Sequence, residues 1–159
     1  MRLKMKRNSH LLVGISSAYL LGLPLLPAVI GSLLPDIDLR LRGCKFKWKL
    51  LCNHRGITHH LFWVPFFLVL WKASENPFLR SFIVGYLSHL IADMLTPRGI
   101  PFWQYGNRLS FSLFKTGSPQ EYIAVGIYTL TTFVILAVKG PFALIPPEVY
   151  LLFKSLWKF

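Results

Sequence analysis

A chain of 159 residues is long enough for one compact domain and for little beyond it. Hydrophobic residues make up 53% and charged residues only 15%, well under the roughly 25% of a soluble domain, which argues against an ordinary water-soluble fold. The net charge of +12 would suit nucleic acid, but the basic residues lie in the gaps between apolar runs and build no basic domain. They suit anionic lipid head groups or an anionic substrate, and no nucleic-acid partner is expected.

Residues 11–34, 56–71 and 122–138 carry no charge at all, as membrane-inserted segments do. Five apolar segments follow from the pattern: 11–34, 57–73, 79–96, 122–138 and a shorter 141–157. The expected fold is all-α, a multi-pass helical membrane protein of four to five apolar segments forming one embedded domain over residues 1–159. Neither a repeat nor a linker long enough to mark a second domain is visible.

The opening "MRLKMKRNSHLLVGISSAYLL" has the basic start and apolar run of a signal peptide. The apolar run continues past Pro24 to Leu34 without a small-x-small cleavage site, so the segment is expected to be retained. Its centre reads "GLPLLP", where Gly22, Pro24 and Pro27 break a single helix. One straight crossing and a re-entrant pair of short helices both remain open, since broken helices are tolerated where protein buries them. Charge favours the hairpin. Arg2, Lys4, Lys6 and Arg7 precede the segment, and Arg40, Arg42, Lys45, Lys47, Lys49 and Arg55 follow it. A single crossing would put these clusters on opposite faces, against the positive-inside rule, whereas a hairpin puts both in the cytoplasm. The later segments then alternate, and of all the basic residues only Lys72, Arg80 and Lys139 fall outside. Cys44 and Cys52 lie in the basic loop after the hairpin and are too far apart for a CxxC pair; they read as structural or free thiols.

This topology gathers the polar residues. His10 starts the first hairpin, and "LLPDIDLR" ends it with Asp36 and Asp38. "HRGITHH" puts His54, Arg55, His59 and His60 at the entry to the next segment. "SHLIAD" puts His89 and Asp93 in the last turns of its returning partner. Every histidine and aspartate of the chain therefore reaches the same cytoplasmic end, and none occurs after Asp93.

Each motif has a plain structural reading beside a functional one. His89 and Asp93, four residues apart, share a helix face about 6 Å apart along the axis, which suits a buried hydrogen-bonded pair or a grip on one ion. An ionisable pair inside an apolar segment marks a functional site by default. Pro-Asp is an ordinary turn or cap, but imidazoles and carboxylates from separate segments meeting at one place suit zinc, manganese or iron. Gly56 turns the chain between His54 and His59, and Arg55 can pair with a phosphate or snorkel toward head groups. His60, next to His59, would point elsewhere and is held as an orienting group behind the ligands or as spare. In "MLTPRGIPFWQYGNR", Pro97 and Gly99 stop the helix, Phe102, Trp103 and Tyr105 fit an interfacial belt, and Arg98 and Arg108 either bind an anionic substrate or mark the inside face.

Taken together, His10, "LLPDID", "HRGITHH" and "GYLSHLIADMLTPRGI" resemble the YdjM-like family of membrane-bound metal-dependent hydrolases, over roughly residues 8 to 110. The C-terminal third matches only as apolar segments. The resemblance implies a multi-pass membrane protein with hydrolase activity. A weaker resemblance is to the helical zinc-dependent phospholipase C and P1-nuclease enzymes, whose ligands run His, Asp, His, then His-x3-Asp. Here His10, Asp36 or Asp38, His54 or His59, and His89 with Asp93 follow that order. No histidine follows residue 89, so the remaining ligands of a three-metal centre are missing and one or two ions are expected.

The expected function is metal-dependent hydrolysis of a phosphoester at the cytoplasmic membrane face, with zinc ahead of manganese or iron. The expected ligands are His10, Asp36, Asp38, His54, His89 and Asp93. His59, or whichever aspartate is left free (Asp38 is the choice), would be the general base or an orienting group. Arg55, Arg98 and Arg108 would neutralise an anionic substrate, which a site at head-group depth allows to be lipid-borne. "HRGITHH" also imitates one box of a di-iron membrane oxidase, but such sites need several boxes and more histidines than five. A small metal or ion transporter would use the same ligands as an ion path. A purely structural protein would bind no metal.

Overall fold

The computed structural model describes residues 7–39, 57–102, 107–140, 145–146, 148–149 and 152. His54, Arg55, Cys44, Cys52 and most of the 141–157 segment lie outside these residues. The helices are α1 (Arg7–Leu20), α2 (Leu25–Leu33), α3 (Trp63–Ala73), α4 (Pro77–Met94) and α5 (Pro119–Val138). Short 3-10 turns run over Leu34–Leu39 and Ile57–His59. The fold is mostly helical. It also holds one small antiparallel pair, β1 (Ile100–Pro101) with β2 (Arg108–Leu109), which the all-helical expectation did not include.

The "GLPLLP" break is a helical hairpin. Gly22 takes φ +64°, a conformation that costs glycine nothing, and Leu23 N–H returns to the Ala18 carbonyl at 2.9 Å. Pro24 precedes α2, and Pro27 falls in its first turn, where a missing N–H loses no helix bond. Gly14 meets Ser32 across the hairpin, while Ala18, Leu23 and Ala28 close it near the turn, so α1 and α2 run antiparallel.

Helix α4 is the hub, packed on α1, α2 and α3. Asn76 caps it, accepting from the Phe78 and Leu79 N–H groups at 2.9 and 3.3 Å, with Pro77 at the first helical position. The α2–α4 approach is close enough to need glycine on both sides. A methyl group on Gly31 would be driven into the Phe82 carbonyl oxygen, and one on Gly85 into that of Ala28. Small residues of this kind let helix backbones meet in the absence of a water-driven hydrophobic force. On the opposite side Phe67, Ile83, Tyr86, Leu90 and Ile100 form the main apolar cluster between α3, α4 and β1.

Helix α5 runs parallel to α1, joined by polar contacts: Ser9 Oγ donates to Glu121 Oε1 at 2.6 Å, Ser16 Oγ to Thr129 Oγ1 at 3.3 Å, and Ser17 Oγ lies 2.9 Å from Tyr128 OH. Its outer face exposes Ile123, Ile127, Leu130, Phe133 and Val138. With 20 residues it is about 30 Å long, the thickness of a hydrocarbon core. Among the described residues it is the one helix long and apolar enough to cross a membrane; α2 and α3 are apolar but shorter.

The directions of the helices have one result for the site. The start of α1, the end of α2, the turn before α3, the end of α4 and the start of α5 all lie at one end of the bundle.

Candidate metal centre

Four segments deliver five buried groups to that end. His10 comes from the first turns of α1, Asp36 from the 3-10 turn after α2, His59 from the turn before α3, and His89 and Asp93 from the end of α4. His59 and His89 are fully buried, and His10, Asp93 and Asp36 are nearly so.

Asp93 lies among the imidazoles. Its Oδ2 is 3.4 Å from His59 Nε2 and 3.7 Å from His89 Nε2, and its Oδ1 is 3.7 Å from His10 Nε2. His59 Nε2 and His89 Nε2 stand 3.2 Å apart. The His10 and His89 rings stack with centroids 3.7 Å apart and planes 10° from parallel. Two sets of donors converge, His10 with His89 and Asp93, and Asp36 with His59 and His89, the atoms of each within 4.8 Å of one another. Either set could hold a metal ion, and His89 belongs to both.

The backbone fixes how these rings present their nitrogens. His89 Nδ1 is 2.6 Å from the Ser32 carbonyl oxygen, which can only accept. Nδ1 therefore carries the ring proton, and a neutral His89 has its lone pair on Nε2. This contact depends on the glycine-mediated closeness of α2 and α4. His59 is held by its turn: Tyr86 OH donates to the Thr58 carbonyl at 2.5 Å, Trp63 Nε1 donates to that of Ile57 at 2.7 Å, and Thr58 Oγ1 is 3.0 Å from His59 Nδ1. His10 is set through its neighbour Ser9, whose acceptor Glu121 is itself fully buried and takes the Gly117 N–H at 2.5 Å. Ser118 caps α5 next to it, accepting from Glu121 N–H at 3.4 Å.

The expected site residues thus fall into three groups. His10, Asp36, His89 and Asp93 come together, and His59, expected as a base or orienting group, joins them as a converging donor. Asp38 belongs to the backbone of the Leu34–Leu39 turn, and its side chain lies outside the described residues, as do His54 and Arg55. Arg98 is half-buried in the loop after α4, and the exposed Arg108 on β2 donates to its carbonyl at 3.3 Å. Neither belongs to the converging set. The supporting residues Ser32, Tyr86, Ser9 and Glu121 were not foreseen from the sequence. "SPQE" at 118–121 carries the capping pattern S-x-x-E that could have drawn attention to Glu121.

An apolar helical bundle that exposes a bilayer-length helix and buries imidazoles and carboxylates at one end has the make-up of a helical membrane protein with a polar centre. The family described as YdjM inner membrane protein matches residues 5–152, and the chain belongs to it. The inner membrane protein YdjM of Escherichia coli (strain K12) is 40% identical over 88 residues, covering 46% of this chain and 45% of that protein. The same protein of Shigella flexneri matches to the same extent. The aligned stretch thus spans a little under half the length of these curated relatives. No solved structure matches.

Proposed function

We propose that the chain is a membrane-bound metal-dependent hydrolase that cleaves an anionic phosphoester at the cytoplasmic face of the inner membrane, with zinc ahead of manganese or iron as its ion. The observation that carries this reading is the placement of His89. Its proton is committed to a backbone carbonyl, and its Nε2 stands among a carboxylate and a second imidazole in a fully buried setting. Ligand histidines are commonly oriented in this way, by a carbonyl on the far nitrogen. Spacing agrees. Two donors on one four-coordinate zinc, with bonds of about 2.0–2.1 Å, stand about 3.3 Å apart. The separations of 3.2 and 3.4 Å around His59 are of that size, and the two of 3.7 Å need only a small inward shift.

In this reading His10, Asp36, His59, His89 and Asp93 hold one or two ions. A bound divalent ion would supply Lewis acidity and lower the pKa of its water toward about 7. The protein would do the rest. Burial of the cluster keeps bulk water from competing, and an aspartate not engaged as ligand (Asp38 is the candidate) accepts the proton of the attacking water. Arg55, Arg98 and Arg108 offset the charge that builds on the phosphoryl oxygens, and the departing alcohol takes up a proton to complete hydrolysis. The chain crosses the membrane through α5, the α1–α2 hairpin re-enters, the shorter α3 and α4 run out and back beside it, and the cluster faces the cytoplasm together with the basic flanks.

The test is metal content and turnover of detergent-purified protein on phosphomonoesters, phosphodiesters and phospholipids with zinc or manganese. Asp93→Ala should lose both metal and turnover. Arg98→Ala should keep the metal and lose turnover by on the order of 10²-fold. Bound metal without cleavage of any ester would replace this reading by one of metal binding or ion transport. Turnover that survives Asp93→Ala would place the chemistry elsewhere.

A further inference from the structure

Beside the turn that carries His59 lies an open groove of about 820 Å³, the size of a small-molecule site. Its walls are Leu61, Trp63, Pro65 and Phe102, and the turn contributes Ile57 and His60. His59, between those last two, is buried in the polar cluster, so a single turn of chain separates the groove from the centre. Among the described lining residues the Trp63 indole N–H is taken by the Ile57 carbonyl, which leaves His60 as the polar side chain facing a ligand. His60 Nδ1 accepts the Phe62 N–H at 3.2 Å, so a neutral ring carries its proton on Nε2 and has one donor left to offer.

Three facts limit what can occupy it. The walls offer almost nothing to a polar ligand. The groove is continuous with an exposed apolar face on α3, where Phe62, Phe66, Leu68 and Val69 stand in the open in a protein of an inner-membrane family. The chain as a whole carries +12.

We infer that this groove holds the hydrocarbon chain of a membrane lipid whose anionic head group reaches the His/Asp cluster. The substrate enters sideways from the bilayer, its tail along Trp63 and Phe102 and its head past His60. The placement of the head rests on the hydrolase reading above; the tail site does not.

The test uses the full chain in lipid nanodiscs with a phosphatidic acid carrying a photoreactive diazirine on its acyl chain, followed by mapping of labelled peptides. Labelling within residues 57–65 and at Phe102 should saturate and be displaced by excess unlabelled phosphatidic acid. Labelling of the exposed α5 positions Ile127, Leu130 and Phe133 should rise linearly and resist displacement, as expected of bulk lipid. Diacylglycerol should displace the groove label about tenfold less well, the value of one charge-assisted hydrogen bond. Phe102→Glu, at a half-exposed position, should abolish saturable labelling and leave bound metal unchanged. Groove labelling that follows α5 in every respect, or none in residues 57–65 because a copurified polypeptide covers them, would overturn the proposal. Equal displacement by diacylglycerol would overturn its head-group part. Saturable labelling in a protein that binds no metal and cleaves no ester would leave the tail site standing and remove the hydrolase reading. Metal-dependent cleavage without saturable labelling would do the reverse.

Discussion

His89 meets Asp93, His59, His10 and the Ser32 carbonyl at once. His89→Ala should reduce bound metal in purified protein to background, whereas His60→Ala, which removes a ring outside the cluster, should leave it unchanged. Elemental analysis of the two variants checks this, and equal loss from both would mean that the donors are misassigned. Tyr86 contributes through His59: Tyr86→Phe frees the Thr58 carbonyl, and metal affinity should fall about tenfold, at the lower end for groups that orient a ligand. A competition titration with a chelator reads that shift. The His89–Asp93 pair could be read from the chain because i, i+4 spacing on a helix is a local property. The Tyr86–Thr58 and Ser9–Glu121 contacts join residues 28 and 112 positions apart, and no local pattern announces them.

At the scale of elements, the α2–α4 contact sets the site as much as any ligand does. Gly31→Val or Gly85→Val would force the backbones apart and pull Ser32 from His89. Each should destabilise the protein by about 1–3 kcal/mol and lower metal occupancy, although neither residue is near enough in kind to bind an ion. Gly126→Val on α5 is the control. Nothing lies within 4 Å of a side chain added there, so it should bind metal like the parent. Thermal unfolding and metal content measured together separate the cases. Proline and glycine positions made the hairpin break at residues 22–27 legible, because turn chemistry is local. The closeness of α2 to α4 was not, since a glycine in an apolar run looks the same whether it faces lipid or a carbonyl.

For the molecule as a whole, the parallel course of α1 and α5 puts Asn8 and Lys139, both exposed, at opposite ends. With Cys44 and Cys52 replaced by serine, a cysteine at Asn8 should react from the cytoplasmic side only and one at Lys139 from the outside only. Labelling in intact cells and inverted vesicles gives the answer, and reaction of both from one side would remove the proposed membrane arrangement. Composition and the spacing of charge were enough, from the sequence alone, to indicate an apolar helical chain of the membrane whose segment ends carry His10, Asp36, His59, His89 and Asp93 to one end. Those are properties of hydropathy and of chain direction, and both are written residue by residue. Tertiary structure alone decided that His59 stands with His10, Asp36, His89 and Asp93, and that a two-residue β pair follows α4. It alone also set the helix lengths, which leave one bilayer-length span among the described residues. Which rings meet depends on how closely backbones approach and which carbonyl each imidazole finds, and those distances arise only when the helices pack.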